Sequence, residues 1–491
     1  MSDSLDDQIS QMSLEDKSTR SLPPSSTSPI LSVPPEILSH ILLRCTSGKY
    51  KADKSTYAKL CLVNRHFFFP SREHLYRKLI IFIRSPSGQI DLEKMDEAAK
   101  KQYHRDLQIL ETIKNVNQIA ILVKELSLTF KNLPPSTSEA FRLHDFLSTL
   151  ANLEKFWLLD DGTGFWDPDG LRCDTGQLEI ALEIVNMKRM KVLVVPQINF
   201  EAQYTQMIFS ELSNLQVYKG TVFTKLRSDN YLLRSHPSPP PTAKLSRAYI
   251  TNFGTPADLA YIFQPSFNSL RFLHLVLRLE NGRIDLGGLP LLESLTISTR
   301  LIDQGKFSLG GPANTEQEAF ANMNKTPYIL LTNVLRTIES VKHSSSVTSC
   351  SVLTELDSFF EERIVSEAFL LALPRSLVEL AFGPRHMSNF PWPYLLQNRR
   401  LYPALRKIYL TLPTDVDKKT ASKALFGVEN LEAAEGIQVG WLQNIKDWRK
   451  DEDWRVWKQR QFYPEGSDSE WMGRVNKLTL EEIKNVTCIV S

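Results

Sequence analysis

LRFLHL at Leu270–Leu275 and LESLTI at Leu292–Ile297 place aliphatic residues at the first, fourth and sixth positions of a short segment. Side chains alternate across an extended chain with a period of two, so this spacing predicts a strand with one buried face. The same spacing recurs in LEKFWL from Leu153, LVELAF from Leu377 and LRKIYL from Leu405. Weaker copies begin at Val123 (VKELSL), Met190 (MKVLVV), Leu215 and Leu245. Where copies are consecutive, their starts lie 22 to 37 residues apart.

Between the copies the pattern changes to apolar residues three and four apart, as in EAFRLHDFLSTL, TGQLEIALEIVNMKRM, FEAQYTQMIFSEL, TPADLAYIF and FFEERIVSEAFLLAL. That spacing predicts helices. Several strands follow a proline and a small turn, as in GLPLLESLTI, LPRSLVELAF and YPALRKIYL, where proline ends the helix so that an extended segment can start. Alternating helices and strands require a parallel sheet, and a repeat of this length stacks into a solenoid with the strands along one face. The array resembles leucine-rich repeats, although its period is less regular. About nine or ten strands at roughly 4.8 Å spacing give a face roughly 45 Å long, enough to hold a protein.

The fold class is therefore α/β: a small all-α module followed by an irregular leucine-rich-repeat-like solenoid with parallel strands. Residues 1–31, acidic at the start and ending in SLPPSSTSP, read as a disordered leader, because they offer little apolar surface to offset ordering entropy. The helical module spans 32–83, and a surface helix in 84–120 links it to the solenoid at 121–435. An insertion is expected near 300–350, where GKFSLGGPANTEQ reads as a loop and VKHSSSVTSC as polar and mobile. Residues 436–491 are a Trp-rich cap and tail. There Trp441, Ile445 and Trp448 have helical spacing, Trp454 and Trp457 follow, and an amphipathic helix would cover the last repeat.

Composition narrows the function. Apolar residues make up 42% of the 491 and charged residues 23%, a globular balance. Lys and Arg total 58 against 56 for Asp and Glu, so no net field draws the chain to nucleic acid or an anionic membrane. No apolar run reaches the roughly 20 residues of a membrane span, and the N-terminus lacks the apolar core of a secretory signal. Cys45, Cys61, Cys173, Cys350 and Cys488 are scattered, which points to reduced thiols in the cytoplasm or nucleus rather than disulfides or a zinc site.

The stretch that carries function reads SVPPEILSHILLRC, a polar connector, then TYAKLCLVNRHFFFPSREHLYRKLIIFI. Pro34 and Pro35 suit a first helical turn, and Ile37, Leu38, Ile41 and Leu42 form an apolar face behind them. Ser55 is the predicted N-cap of a second helix with Ala58, Cys61, Leu62 and Arg65 at helical spacing, and Pro70 is predicted to open a third with Leu75, Tyr76 and Leu79. A bundle under about 50 residues long buries too little surface to be comfortable alone and wants a partner helix.

PPEIL, LCLVNR and LYRKL, in that order, resemble an F-box of the fungal type, over about a tenth of the chain. Val33 stands where that family usually has Leu, and the connector lacks the common D-L-x-x-L run. The resemblance implies that the module docks a Skp adaptor and, through it, a cullin. The matching positions are Pro35, Glu36, Ile37, Leu38, Ile41, Leu60, Cys61, Val63, Asn64, Arg65 and Phe67. It further implies a ubiquitin-ligase adaptor whose repeats bind a target protein, with no catalysis, cofactor or metal of its own. A scaffold whose F-box recruits no ligase, and a hydrolase or transferase hidden in an α/β fold, are the rival readings.

Other stretches carry less. Asp161–Gly170, DGTGFWDPDG, lacks the alternating ligands and closing Glu of a calcium loop and reads as a turn whose Phe165 and Trp166 could touch a target. His104, His274 and His386 show no ligand spacing, and no nucleophile-elbow, zincin, dinucleotide or phosphate-loop motif occurs.

Overall fold

The computed structural model describes residues 33–47, 54–63, 65–83, 97–130, 143–160, 176–195, 198, 200–223, 239–278, 281–299, 332–354, 367–382, 395, 397–412, 437–443 and 477–478. The chain divides into two compact units, 1–78 and 79–491.

In the first unit, helices cover Pro35–Ser47, Lys54–Val63 and Arg65–Arg77, and the third packs on both others. Leu38, Leu42 and Tyr57 form its core, with Val33, Leu60, Phe67 and Leu75 packed around them. Tyr57 stacks on His74 at 5.4 Å, and His74 Nε2 lies 3.1 Å from both the hydroxyl and the carbonyl of Ser39, tying the third helix to the first. Two boundaries differ from the sequence expectation. Pro70 lies inside the third helix rather than opening it. It removes one backbone hydrogen bond, and the helix survives because Phe67 before it and Leu75 after it pack on the same core. Residues 78–83 are strand β1 of the sheet and do not close the helical unit.

The second unit is α/β. Among the described residues thirteen strands lie in strict chain order, from β1 (Lys78–Ile83) to β13 (Lys477–Leu478). The parallel run of eleven comprises β2 (Glu125–Phe130), β3 (Lys155–Asp160), β4 (Val192–Val194), β5 (Val217–Val222), β6 (Arg247–Phe253), β7 (Phe272–Leu277), β8 (Ser294–Thr299), β9 (Ser349–Thr354), β10 (Glu379–Phe382), β11 (Lys407–Leu412) and β12 (Gln438–Gln443). Such an order is compatible with a leucine-rich-repeat-like solenoid, where each unit touches only its neighbours.

The one-four-six pattern is the core. Position-one residues Val123, Leu153, Met190, Leu215, Leu245, Leu270, Leu292, Val347, Leu377 and Leu405 are all buried to within 1% of complete. Position four follows in register through Leu126, Phe156, Leu193, Tyr218, Ala248, Leu273, Leu295, Cys350, Leu380 and Ile408, all buried. Helices between strands cover this side: Phe209, from helix Ala202–Glu211, meets Tyr218 edge-on at 4.9 Å. Gly220 takes position six beside Tyr218 because a Cβ there would lie 2.6 Å from the Tyr218 hydroxyl. That hydroxyl turns back to donate to the Thr221 carbonyl at 2.6 Å, next to a register shift between Gly220 and Thr221.

Turns are stitched from one unit to the next by side chains that donate to backbone carbonyls. Asn152 reaches Ile121 at 2.9 Å, Asn214 reaches Lys188 at 2.8 Å, Ser269 reaches Leu245 at 2.8 Å and Ser376 reaches Val347 at 2.6 Å. These are the small polar residues that precede or border position one, and they satisfy carbonyls that the sheet leaves over.

Three expectations change. Helix Glu97–Asn115, expected as a linker, buries Leu110 and Ile113, contacts the helix at Leu143–Ser148 and belongs to the second unit. VKHSSSVTSC is an ordinary turn and strand, with Val347 and Cys350 in the core ladders. The extra length does lie in this unit, since Glu293 and Thr348 are 55 residues apart yet adjacent in register order, while GKFSLGGPANTEQ lies outside the described residues. Trp441 is in strand β12 rather than a capping helix, in parallel register with Leu410 of β11. Antiparallel β13 pairs with that strand, Trp441 opposite Leu478. Ile445, Trp448, Trp454, Trp457, the leader 1–31 and the Asp161–Gly170 turn lie outside the described residues.

Replacing a ladder residue should therefore cost far more than replacing its neighbour. Leu292→Ala is expected to destabilise the array by about 3 kcal/mol, from lost burial plus the cavity left behind. Leu291→Ala, at a side chain 40% exposed, should change stability by about 0.5 kcal/mol or less. Urea unfolding of the two variants measures the contrast.

Candidate functional site: an apolar helical unit and a polar sheet face

The first unit sorts its apolar side chains sharply. Leu38 and Leu42 point into the core, whereas Ile37 and Ile41, one residue earlier in each case, are 52% and 46% exposed. Leu62, Val63 and Phe69 are 65–70% exposed. Of the positions assigned by the F-box resemblance, Ile37, Ile41 and Val63 face solvent, as does Glu36. Leu38, Leu60 and Phe67 instead build the core that fixes the helices. Cys61 is half-buried, its thiol directed at the Phe68 carbonyl at 3.9 Å, and burial raises its pKa despite the opposing charge of Arg72. Pro35 and Arg65 begin the first and third helices, and Asn64 lies outside the described residues.

Leu62, read from the sequence only for its helical spacing, and Phe69 were not among the docking positions. The signal was present in LCLVNRHFFF, because consecutive Phe67, Phe68 and Phe69 on a helix cannot all face one core.

In the second unit, residues between the ladder positions line the other face of the sheet. One row follows the register Ser127, Trp157, Val194, Lys219, Tyr249, His274, Thr296 from β2 to β8. A neighbouring row runs Glu125, Lys155, Val192, Val217, Arg247, Phe272, Ser294 and on to Ser349, Glu379 and Lys407. At its two ends the charges pair across adjacent strands: Lys155 with Glu125 and Lys407 with Glu379, each at 2.8 Å. Trp157, Val192, Val194 and Val217 make an apolar cluster against which Tyr249 packs.

The centre is aromatic and cationic. Tyr249 and His274 stack in parallel at 3.9 Å, Lys219 Nζ lies 4.0 Å from the Tyr249 ring centre, and the Arg247 guanidinium lies 4.2 Å from that of Phe272. His274 Nε2 and the Ser298 hydroxyl are 2.7 Å apart. Burial, and then the Lys219 charge, lower the His274 pKa to about 3, so the ring is neutral at ordinary pH. His274 thus packs as a flat, uncharged ring. Cys350, at core position four, is pushed up to about 12 by burial and stays a thiol. Among the described residues, no group of three or more His, Cys, Asp or Glu is placed to hold a metal. Among them also, no helix is long and apolar enough to cross a membrane.

No family model matches the chain, and no curated protein matches it. Among solved structures, a Bacteroides fragilis protein is similar at 14% identity, covering 70% of this chain and 84% of its own, with a TM-score of 0.34. The leucine-rich repeat-containing protein LegL7 from Legionella pneumophila is similar at 12% identity over 76% of this chain and 88% of its own, with a TM-score of 0.27. At these scores neither match adds to what the strand order itself establishes.

The neutral His274 gives the sheet a pH signature. Its folded pKa lies below the ordinary 6.5, so on acidification the unfolded chain takes up the proton first. The His274 contribution is full above about pH 6.5 and is lost progressively as pH falls toward about 3. His274→Phe, which keeps a stacking ring, is expected to show a smaller loss of stability between pH 7 and 4.5 than the parent chain, measured by urea unfolding at both pH values.

Proposed function

We propose that this protein is the substrate-recognition adaptor of a Skp/cullin/F-box ubiquitin ligase. The helical unit docks Skp, which brings the cullin, and the sheet face of the repeat array holds the protein to be modified. The observation that carries this reading is the sorting of side chains in the unit written by PPEIL, LCLVNR and LYRKL. It buries Leu38, Leu42 and Tyr57 yet leaves Ile37, Ile41, Leu62, Val63 and Phe69 to solvent. Covering such a side chain is favourable by about 1.5 kcal/mol or more, so a partner helix that covers several gains enough to bind.

The docking set then comprises those five side chains with Glu36 and Cys61 beside them, while Leu38, Leu60 and Phe67 act through the fold. Pro35, Asn64 and Arg65 keep the roles the resemblance gives them. The adaptor performs no chemistry and needs no cofactor. Its mechanism is proximity: a lysine held near a charged conjugating enzyme reacts at a raised effective concentration.

Co-purification with Skp tests the reading. The parent chain should capture Skp, and Ile37→Asp combined with Ile41→Asp should reduce capture at least tenfold while the unfolding midpoint stays put. Leu38→Asp should lose capture together with helical structure, because it places a charge in the core. Failure of the parent chain to capture Skp, or undiminished capture by the double variant, would falsify the F-box assignment. Cullin in the captured complex separates a ligase adaptor from an F-box scaffold.

A further inference from the structure

We infer that the rim of the array where the turns enter β9, β10 and β11 receives an acidic segment of a partner protein, one that also carries an apolar side chain. This goes beyond the adaptor reading, which gives the target to the sheet face, and it stands or falls separately from Skp binding.

The turns of three consecutive units bring the cations together. Thr348, Val378 and Arg406 head the three strands, and their backbones fix them side by side: the Val378 N–H donates to the Thr348 carbonyl and the Arg406 N–H to the Val378 carbonyl, each at 2.8 Å. Lys342 and Arg400 each lie six residues before their strand head, so they hold equivalent places on the first and third units. Arg375 lies three residues before its head on the middle unit. His343, Arg375, Arg400 and Arg406 are exposed, and Lys342 is partly exposed. Two strand steps of roughly 4.8 Å put the outer heads about 10 Å apart, the reach of about three extended residues.

Elsewhere on this rim cations meet carboxylates: Lys188 and Glu211, Lys191 and Glu154, and Arg271 and Glu293 pair at 2.7–2.9 Å. Here they do not. Among the described residues, Lys342, His343, Arg375, Arg400 and Arg406 have no ion-pair partner. Glu379 is the one acid within 340–354, 368–382 and 397–412, and Lys407 already engages it at 2.8 Å. The rim therefore carries uncompensated positive potential, which attracts an anionic partner.

The turns that carry these cations are braced. The Ser376 hydroxyl donates to the Val347 carbonyl at 2.6 Å and lies 2.9 Å from that of Ser344, which pins the Arg375 turn to the one that follows Lys342. Arg399 spends its guanidinium on the carbonyls of Tyr402 and Leu405, closing the turn between Arg400 and Arg406. The Tyr402 hydroxyl donates to the Leu370 carbonyl and ties that turn to helix Glu367–Ala372. Beside it Leu371 is 42% exposed and offers an apolar contact on the middle unit. Cations held in place lose little freedom on binding, and guanidinium groups suit the two-pronged geometry of carboxylates. Nucleic acid fits worse, because its affinity grows with the number of phosphates neutralised and the patch stops at the Arg271–Glu293 pair.

Fluorescence anisotropy on the full chain tests the assignment with three labelled ten-residue peptides: one of Glu and Leu, the same with phosphoserine replacing half of the Glu, and the same with Gln replacing all of it. An unlabelled ten-nucleotide RNA serves as competitor. The expected result is salt-sensitive binding of the acidic peptides, at least tenfold weaker binding of the Gln peptide, and no displacement by RNA. The two acidic probes distinguish carboxylate from phosphate recognition. Arg375→Gln and Arg406→Gln should each weaken the acidic peptide at least threefold, their combination with Arg400→Gln at least tenfold, and Leu371→Ser at least twofold. Lys188→Gln, on the rim but outside the patch, should leave binding unchanged. All of these variants should keep the parent unfolding midpoint and the parent level of Skp capture. No binding by the parent chain, equal binding of the Gln peptide, displacement by RNA, or parental affinity in the triple variant would overturn the inference, whatever the outcome of Skp capture.

Discussion

One carbonyl at the head of each strand accepts two consecutive N–H groups from the strand that follows. The Lys124 carbonyl receives Glu154 and Lys155, that of Glu154 receives Lys191 and Val192, and the relay continues through Lys191, Gln216, Ser246, Arg271, Glu293 and Thr348 to Val378, at 2.7–3.2 Å. A strand can enter this relay only if its turn closes at the right height. The buried position-one residue sets that height, since it fixes where the turn sits against the helices. Every later feature inherits its register from this event: the ladders at positions four and six, the ion pairs at strand starts, and the rows of the other face.

The fold was legible where this constraint wrote itself in aliphatic residues. Leu153, Leu270, Leu292, Leu377 and Leu405 marked their strands directly, and Val123, Met190, Leu215 and Leu245 did so more faintly. Two units escaped. In VTSCSV the ladder is Val347, Cys350 and Val352, and serines and threonine around it read as a polar loop until Cys350 is counted as apolar. In β12 Val439 continues the position-four ladder opposite Ile408, and Trp441 pairs with Leu410, but the spacing of Trp441, Ile445 and Trp448 looked like a helical stripe.

The candidate sites were legible to different degrees. PPEIL and LCLVNR named the right helices, but a motif does not separate a side chain that fills the core from one that meets a partner. Ile37 and Leu38 are adjacent and apolar, and only the packing of the third helix tells them apart. The sheet face was less visible still. Lys219, Arg247 and His274 are separated by more than a turn of sequence and come together only through parallel register.

The shortest and longest units of the array are joined. Only 22 residues separate Arg271 from Glu293, too few for a full helix, and Ile284, Leu286 and Leu289 are buried there in an irregular segment. The helical stretch 332–339 of the next unit supplies what is missing: Thr337 accepts from the Ile284 backbone at 3.3 Å and Ser340 from that of Leu286 at 3.0 Å, across 53 and 54 residues of chain. During synthesis, units up to β7 can stack as they leave the ribosome, each contacting what has already emerged. The β7–β8 unit instead waits for some fifty further residues to be translated, which makes it the point where vectorial folding pauses and a half-built array stays exposed longest.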